Sequence, residues 1–103
     1  MQTSKHYLSG TSTLLVLALL EKEDLYGYEI IKRLEEKSSN IFRYQAGTLY
    51  PALYRMEKEK LITKQESERR VYYSITNKGR IRLTEERKEW EEFSKGVQGV
   101  LEV

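Results

Sequence analysis

A chain of 103 residues with no cysteine and one histidine, His6, has few routes to covalent or metal chemistry. Its length supports one modest core, because a chain of this size buries roughly 65% of its unfolded surface. Disulfides, thiolate metal sites and thiol nucleophiles are excluded by composition. Charged residues make up 33% of the chain and the net charge is only +2, but the charge is unevenly placed. Residues 1–42 hold five Lys/Arg against six Asp/Glu, residues 43–82 ten against four, and residues 83–103 three against six. A basic middle on a small domain reads either as a polyanion-binding surface or as a solvated face. The longest apolar run, Leu14 to Leu20, is seven residues, too short to span a bilayer. With no secretory or transit segment visible, the expected compartment is the cytoplasm and no membrane partner is expected.

The first predicted helix runs from about Ser9 to Glu21, capped by Ser9 or Thr11. Leu14 to Leu20 are apolar on every side, so this helix is expected to be buried nearly all round, in part against a second subunit. A second helix is expected from about Leu25 to Ser38, with Asp24 as N-cap. Gly27, Ile30, Ile31 and Leu34 form its inward stripe, and Gly27 is expected to admit another helix at close range. Ser38, Ser39 and Asn40 then break the segment.

The third helix is expected from about Ala46 to Glu59, with Leu49, Leu53 and Met56 inward and Pro51 placed early. Its other faces carry Thr48, Tyr50, Tyr54, Arg55 and Lys58, with no acid before Glu57. The period then changes. Ile62–Glu66 and Val71–Ile75 read as the two strands of a hairpin with a polar tip at Ser67 to Arg70. Such a hairpin is marginal alone and must pack on the helices.

The last helix is expected from Thr76, as N-cap, to about Leu101, a length of roughly 37 Å. Leu83, Trp90 and Val97 repeat at seven residues, and Phe93 and Val100 fill the intervening position of the repeat, as in a short coiled-coil seam. Glu86 interrupts that seam. It reads either as facing water at a splayed end or as the counter-charge to a cationic ligand.

Three helices, a hairpin and a further long helix follow the plan of a winged helix-turn-helix, mainly α with a small β-hairpin. Residues 1–76 are the expected DNA-binding unit and 77–103 the dimerisation helix, the two forming one compact body. A helix with exposed donors suits the major groove, and a basic wing tip suits the neighbouring backbone. Three stretches also resemble the PadR family of bacterial transcriptional regulators: Tyr26-Gly27-Tyr28-Glu29-Ile30, Gly47-Thr48-Leu49-Tyr50-Pro51-Ala52-Leu53 and Tyr72-Tyr73-Ser74-Ile75-Thr76-Asn77-Lys78-Gly79. The similarity covers about residues 9–95, and the single C-terminal helix looks like the family's short subfamily. The resemblance implies a homodimeric repressor whose last helices exchange across the two-fold axis and pack against the first. Readers of this kind place their recognition helices roughly 34 Å apart on a pseudo-palindromic operator in double-stranded DNA.

On this reading Gln45, Thr48, Tyr50, Tyr54 and Arg55 are the candidates for contact from the recognition helix, with Tyr50 alternatively packing partly inside. Lys64, Arg69 and Arg70 are candidates for backbone contact. The expected dimer interface comprises Leu15, Leu19, Leu83, Trp90, Phe93, Val97 and Val100. Trp90 and Phe93 are either plain seam residues or, as the short subfamily implies, the wall of a pore for a small hydrophobic or aromatic effector. The phenolic-acid effector of the long subfamily does not carry over. His6 and Tyr7 read as an arm touching phosphate or as a disordered terminus. No nucleophile–base pair or metal cluster is visible, so neither catalysis, a cofactor nor metal sensing is expected. The competing reading is a winged-helix protein-interaction module without DNA affinity.

Overall fold

The computed structural model describes residues 5–102, with side chains from residue 11 onward. The expected arm residues His6 and Tyr7 therefore have side chains outside the described set. The elements are α1 (Lys5–Lys22), β1 (Leu25–Tyr26), α2 (Gly27–Lys37), α3 (Ala46–Lys58), β2 (Ile62–Ser67), β3 (Arg70–Ile75) and α4 (Asn77–Leu101). Helices dominate, and the strands form one antiparallel sheet in the order β1-β3-β2. This is the winged-helix plan, with differences of detail that have physical causes.

Helix α1 begins earlier than expected, so Ser9 and Thr11 lie inside it and neither caps it. It is the central helix, touched by α2, α3, β3 and α4. Val16, Leu17, Leu19 and Leu20 are buried within the single chain, while Leu14, Leu15 and Ala18 are partly covered. Much of the cover expected from a second subunit thus comes from the chain itself. Leu19, expected at the dimer interface, faces its own core at 8% exposure, and only Leu15 of the two keeps a partly open side chain.

Strand β1 takes the place of the expected first turn of α2. Leu25 and Tyr26 pair with Tyr73 and Tyr72, so the sheet has three strands rather than two. Tyr26 is extended, its N–H donates to Glu29 Oε1 at 3.1 Å, and the helix starts at Gly27 instead of after Asp24. Gly27 is consequently the first helical residue, where the flexibility that weakens glycine in a helix interior matters least. Pro51 is the sixth residue of α3, beyond the first turn, so the donor it lacks would have faced the carbonyl of Gly47.

The exit of α3 organises the rest. Lys60 adopts a left-handed conformation (φ 63°), letting Lys60 N–H donate to Glu57 O and Leu61 N–H to Met56 O, each at 2.9 Å. This pair of hydrogen bonds, with Met56 and Leu61 both buried, is the Schellman ending, built without glycine. Thr76 then binds the same corner: its hydroxyl donates towards Lys60 O (2.7 Å) and Leu61 O (3.0 Å) and accepts from Gly79 N–H at 3.0 Å, capping α4. A Cβ at Gly79 would run into the Leu61 carbonyl oxygen. The Thr-Asn-Lys-Gly stretch is therefore a backbone latch between α3 and α4.

The core runs from Leu17 and Leu20 through Leu25, Ile30, Leu49, Leu53, Met56, Leu61 and Ile62 to Leu83. Leu83 was expected on the seam between subunits. It is 1% exposed in the single chain, because the first turns of α4 close the core beside α1, and so it has no surface left for a second copy.

Candidate nucleic-acid interface

Helix α3 is held on three sides. Its inward stripe is Leu49, Ala52, Leu53 and Met56. The residue before its N-cap, Tyr44, is buried and hydrogen-bonded to Thr11 of α1, and that burial raises the Tyr44 phenol above its ordinary range. The sheet-side flank is Tyr50 and Glu57, seven residues apart. Tyr50 leans on the start of α2, its hydroxyl occupying the space a side chain at Gly27 would need, so Gly27 does admit a close neighbour. Tyr50 remains 44% exposed and so is shared between packing and surface. Tyr73, beneath it, is held above the ordinary phenol range by burial, with Tyr50 and Glu57 adding to the effect.

The outward side of α3 carries Gln45 at the N-cap, then Thr48, Tyr54, Arg55 and Lys58, all exposed. Lys58 Nζ stands 5.2 Å from the Tyr54 ring centroid. Sequence reasoning left Lys58 off the site, although its i,i+4 spacing from Tyr54 was a usable signal.

The wing is β2 and β3 joined by Glu68 and Arg69, both left-handed (φ 50° and 69°), which is the two-residue turn that matches strand twist. Arg69 lies at the tip, with no carboxylate partner among the described residues. Arg70 lies over the Tyr26 ring, Cζ 4.6 Å from the centroid, and Tyr26 meets Tyr72 edge-on at 5.7 Å. Lys64 departs from the expected cluster: it sits opposite Tyr73 in the sheet, and its Nζ lies 3.7 Å from Glu57. It therefore faces the flank of α3 rather than the tip.

The charges of the basic middle thus sort themselves. Glu57 holds Lys64 of β2, and Glu59 at the end of α3 holds Arg82 of α4 at 3.6 Å. Among the described residues Arg43, Arg55 and Arg69 have no ion pair. Among the described residues Arg55 and Lys58 on outward α3 stay outside any ion pair, as do Lys60, Lys78 and Arg80 near the corner between α3 and α4, while the tip arginines Arg69 and Arg70 stand beside Glu66 and Glu68. Such an arrangement attracts an extended polyanion. Among the described residues no cluster of His, Asp or Glu could hold a metal ion, and no helix is long and apolar enough to cross a membrane.

A second surface lies on α4. Beyond Glu86 every described side chain except Ser94 is exposed, including Trp90 (41%), Phe93 (64%), Val97 (40%) and Val100 (72%). Trp90 and Phe93 touch, with ring centroids 6.0 Å apart. Phe93, Val97, Val100 and Leu101 line an open groove of about 430 Å³. Glu86 is half-buried, not fully in water, and burial pushes its carboxyl up, with Glu89 adding to the effect.

Comparison with known proteins adds to this geometry. Residues 16–85 match the model of the transcriptional regulator PadR-like family. The chain is similar to the structure of a transcriptional regulator from Clostridium thermocellum, with a TM-score of 0.86, 33% identity, and coverage of 94% of this chain and 96% of that one. It is also similar to a PadR family transcription regulator from Clostridium difficile, with a TM-score of 0.80, 36% identity, and coverage of 89% and 99%. The transcriptional regulator YqjI of Escherichia coli is 32% identical over 79% of this chain, which spans only 36% of YqjI.

Proposed function

The chain belongs to the PadR-like family of transcriptional regulators, and from that premise we propose that it is a sequence-specific DNA-binding repressor acting as a homodimer. The observation that carries this reading is the uncompensated outward face of α3 (Gln45, Thr48, Tyr54 and Arg55) beside a wing tip bearing Arg69 and Arg70. Helix α3 enters the major groove, where Gln45 reads a base edge, Thr48 meets a thymine methyl or a phosphate and Arg55 pairs a phosphate. The wing arginines bind the adjacent backbone. Tyr50 and Lys64 keep their contacts within the chain, Tyr50 touching DNA only at its exposed edge. The exposed stripe Trp90, Phe93, Val97 and Val100, with Leu15, forms the interface with a second copy, since an apolar row of this length on a small protein marks a contact surface. Residues 77–103 are on this reading the dimerisation helix and 1–76 the DNA-binding unit, working in the cytoplasm. Trp90 and Phe93 receive a flat hydrophobic effector between the two copies, and its binding releases DNA.

The test is a mobility shift with the duplex immediately upstream of the chain's own coding sequence, with competitor DNA at moderate salt. A discrete shift is expected. No shift at micromolar protein overturns the reading and favours a protein-interaction module. Changing Arg69 and Arg70 together to Ala is expected to reduce the slope of log K against log salt by about 2. Quenching of Trp90 by planar aromatic compounds, with loss of the shift, tests the effector.

A further inference from the structure

The two wing arginines are chemically alike, but their surroundings differ. Arg69 stands in the turn with no ion pair or ring contact among the described residues. Arg70 is the first residue of β3, two positions before Tyr72 and therefore on the same face of the strand. Tyr26, in β1, pairs with Tyr72 across the sheet and so lies diagonal to Arg70. The rings of Tyr26 and Tyr72 meet at 84° with centroids 5.7 Å apart, and the Arg70 guanidinium covers the Tyr26 face at 4.6 Å. Tyr26 is itself fixed, extended before α2 with its N–H on Glu29. The stack Tyr72–Tyr26–Arg70 therefore ties the orientation of one wing cation to the start of the helix-turn-helix.

A guanidinium stacked on an aromatic face keeps its N–H edge free for bidentate bonds in the plane of the group. Arg70 borders the cleft lined by Tyr26, Gly27, Tyr28, Tyr50, Val71 and Tyr73, between the wing and the start of α2. We propose that Tyr26 is a positioning residue for DNA binding: its ring holds Arg70 ready for a backbone phosphate crossing this cleft, whereas Arg69 must be ordered on binding. The inference rests on the DNA-binding reading above. It adds that a tyrosine in neither the recognition helix nor the wing controls how well the wing grips.

The experiment is a double-mutant cycle on the full chain, measuring affinity for the same upstream duplex and for a mixed-sequence duplex. Tyr26→Phe keeps the face and is expected to bind as the unaltered protein does. Tyr26→Leu is expected to weaken both duplexes by about threefold. In an Arg70→Ala background the same change is expected to have no further effect, while in an Arg69→Ala background it keeps its full effect. Equal losses in all backgrounds mean a general structural role and overturn the proposal. A second measurement uses the unaltered protein: the Arg70 side-chain protons are expected to be shifted upfield by the ring in solution, and those of Arg69 not. Absence of that shift overturns it as well. Failure of the unaltered protein to bind either duplex is a different result, and removes the DNA-binding reading itself.

Discussion

The two halves of α4 are continuous in backbone and opposite in circumstance. From Asn77 to Glu86 the helix is latched to α3 by Thr76 and Gly79 and closes the core with Leu83. From Arg87 onward its apolar side chains face outward, and Arg87 itself reaches back to Glu21 of α1 at 3.5 Å. One heptad pattern thus spans two roles. Leu83 and Trp90 are equivalent by spacing, but the chain's own helices cover one and leave 41% of the other exposed. A repeat in sequence therefore identifies a buried face without saying whose atoms bury it.

The largest effect belongs to the latched half. Leu83→Ala removes a fully enclosed side chain and is expected to cost about 3 kcal/mol, lowering Tm by about 15 °C, as thermal unfolding would show. A change in oligomeric mass without loss of stability would instead return Leu83 to the seam. The next effect tests the outer half. Trp90→Ala with Phe93→Ala is expected to leave the single-chain fold intact, because both rings are largely exposed, and to abolish dimerisation. Sedimentation should then report a monomer across micromolar concentrations, and Tm should no longer depend on concentration. A dimer that persists would place the interface elsewhere.

The smallest effect lies at the junction. Burial raises the Glu86 carboxyl, so the folded chain holds that proton more tightly than the unfolded chain does. Ionised Glu86 therefore disfavours folding at neutral pH, and the penalty fades as pH falls through the raised folded value. Glu86→Gln is expected to raise Tm slightly at pH 7, with the difference vanishing below the ordinary glutamate range near about 4.3. A difference that grows on acidification would contradict this. Since Glu86 is only partly buried, salt should reduce the effect.

These contrasts explain how far the fold and the site could be read in advance. Helix α3 was legible because an inward stripe of Leu49, Leu53 and Met56 leaves one answer for the residues between them. The span of α4 was legible from its helical spacing, and the Thr76 cap from a hydroxyl placed just before the first turn. Strand β1 was not: two residues show no period, and Leu25 is explained equally well as the first turn of a helix. The pairing of Lys64 with Glu57 was not legible, because alternation along a strand names two faces without saying which one meets α3. Glu57, its partner, belongs to another element. Tyr26 was seen within a motif, but its hold on Arg70 depends on a pairing across more than forty residues of chain, which no local pattern carries.

The latch at Thr76 has a consequence for DNA spacing. In the proposed dimer α4 is a lever whose pivot is the corner where Thr76 meets Lys60 and Leu61. A tilt of about 10° there, carried along roughly 37 Å of helix, displaces the far end by about 6 Å. That is about the rise of two base pairs, enough to bring one recognition helix out of phase with its half-site. In that proposed dimer, the operator length that two copies can span would depend on the Thr76 hydroxyl and on the missing Cβ of Gly79.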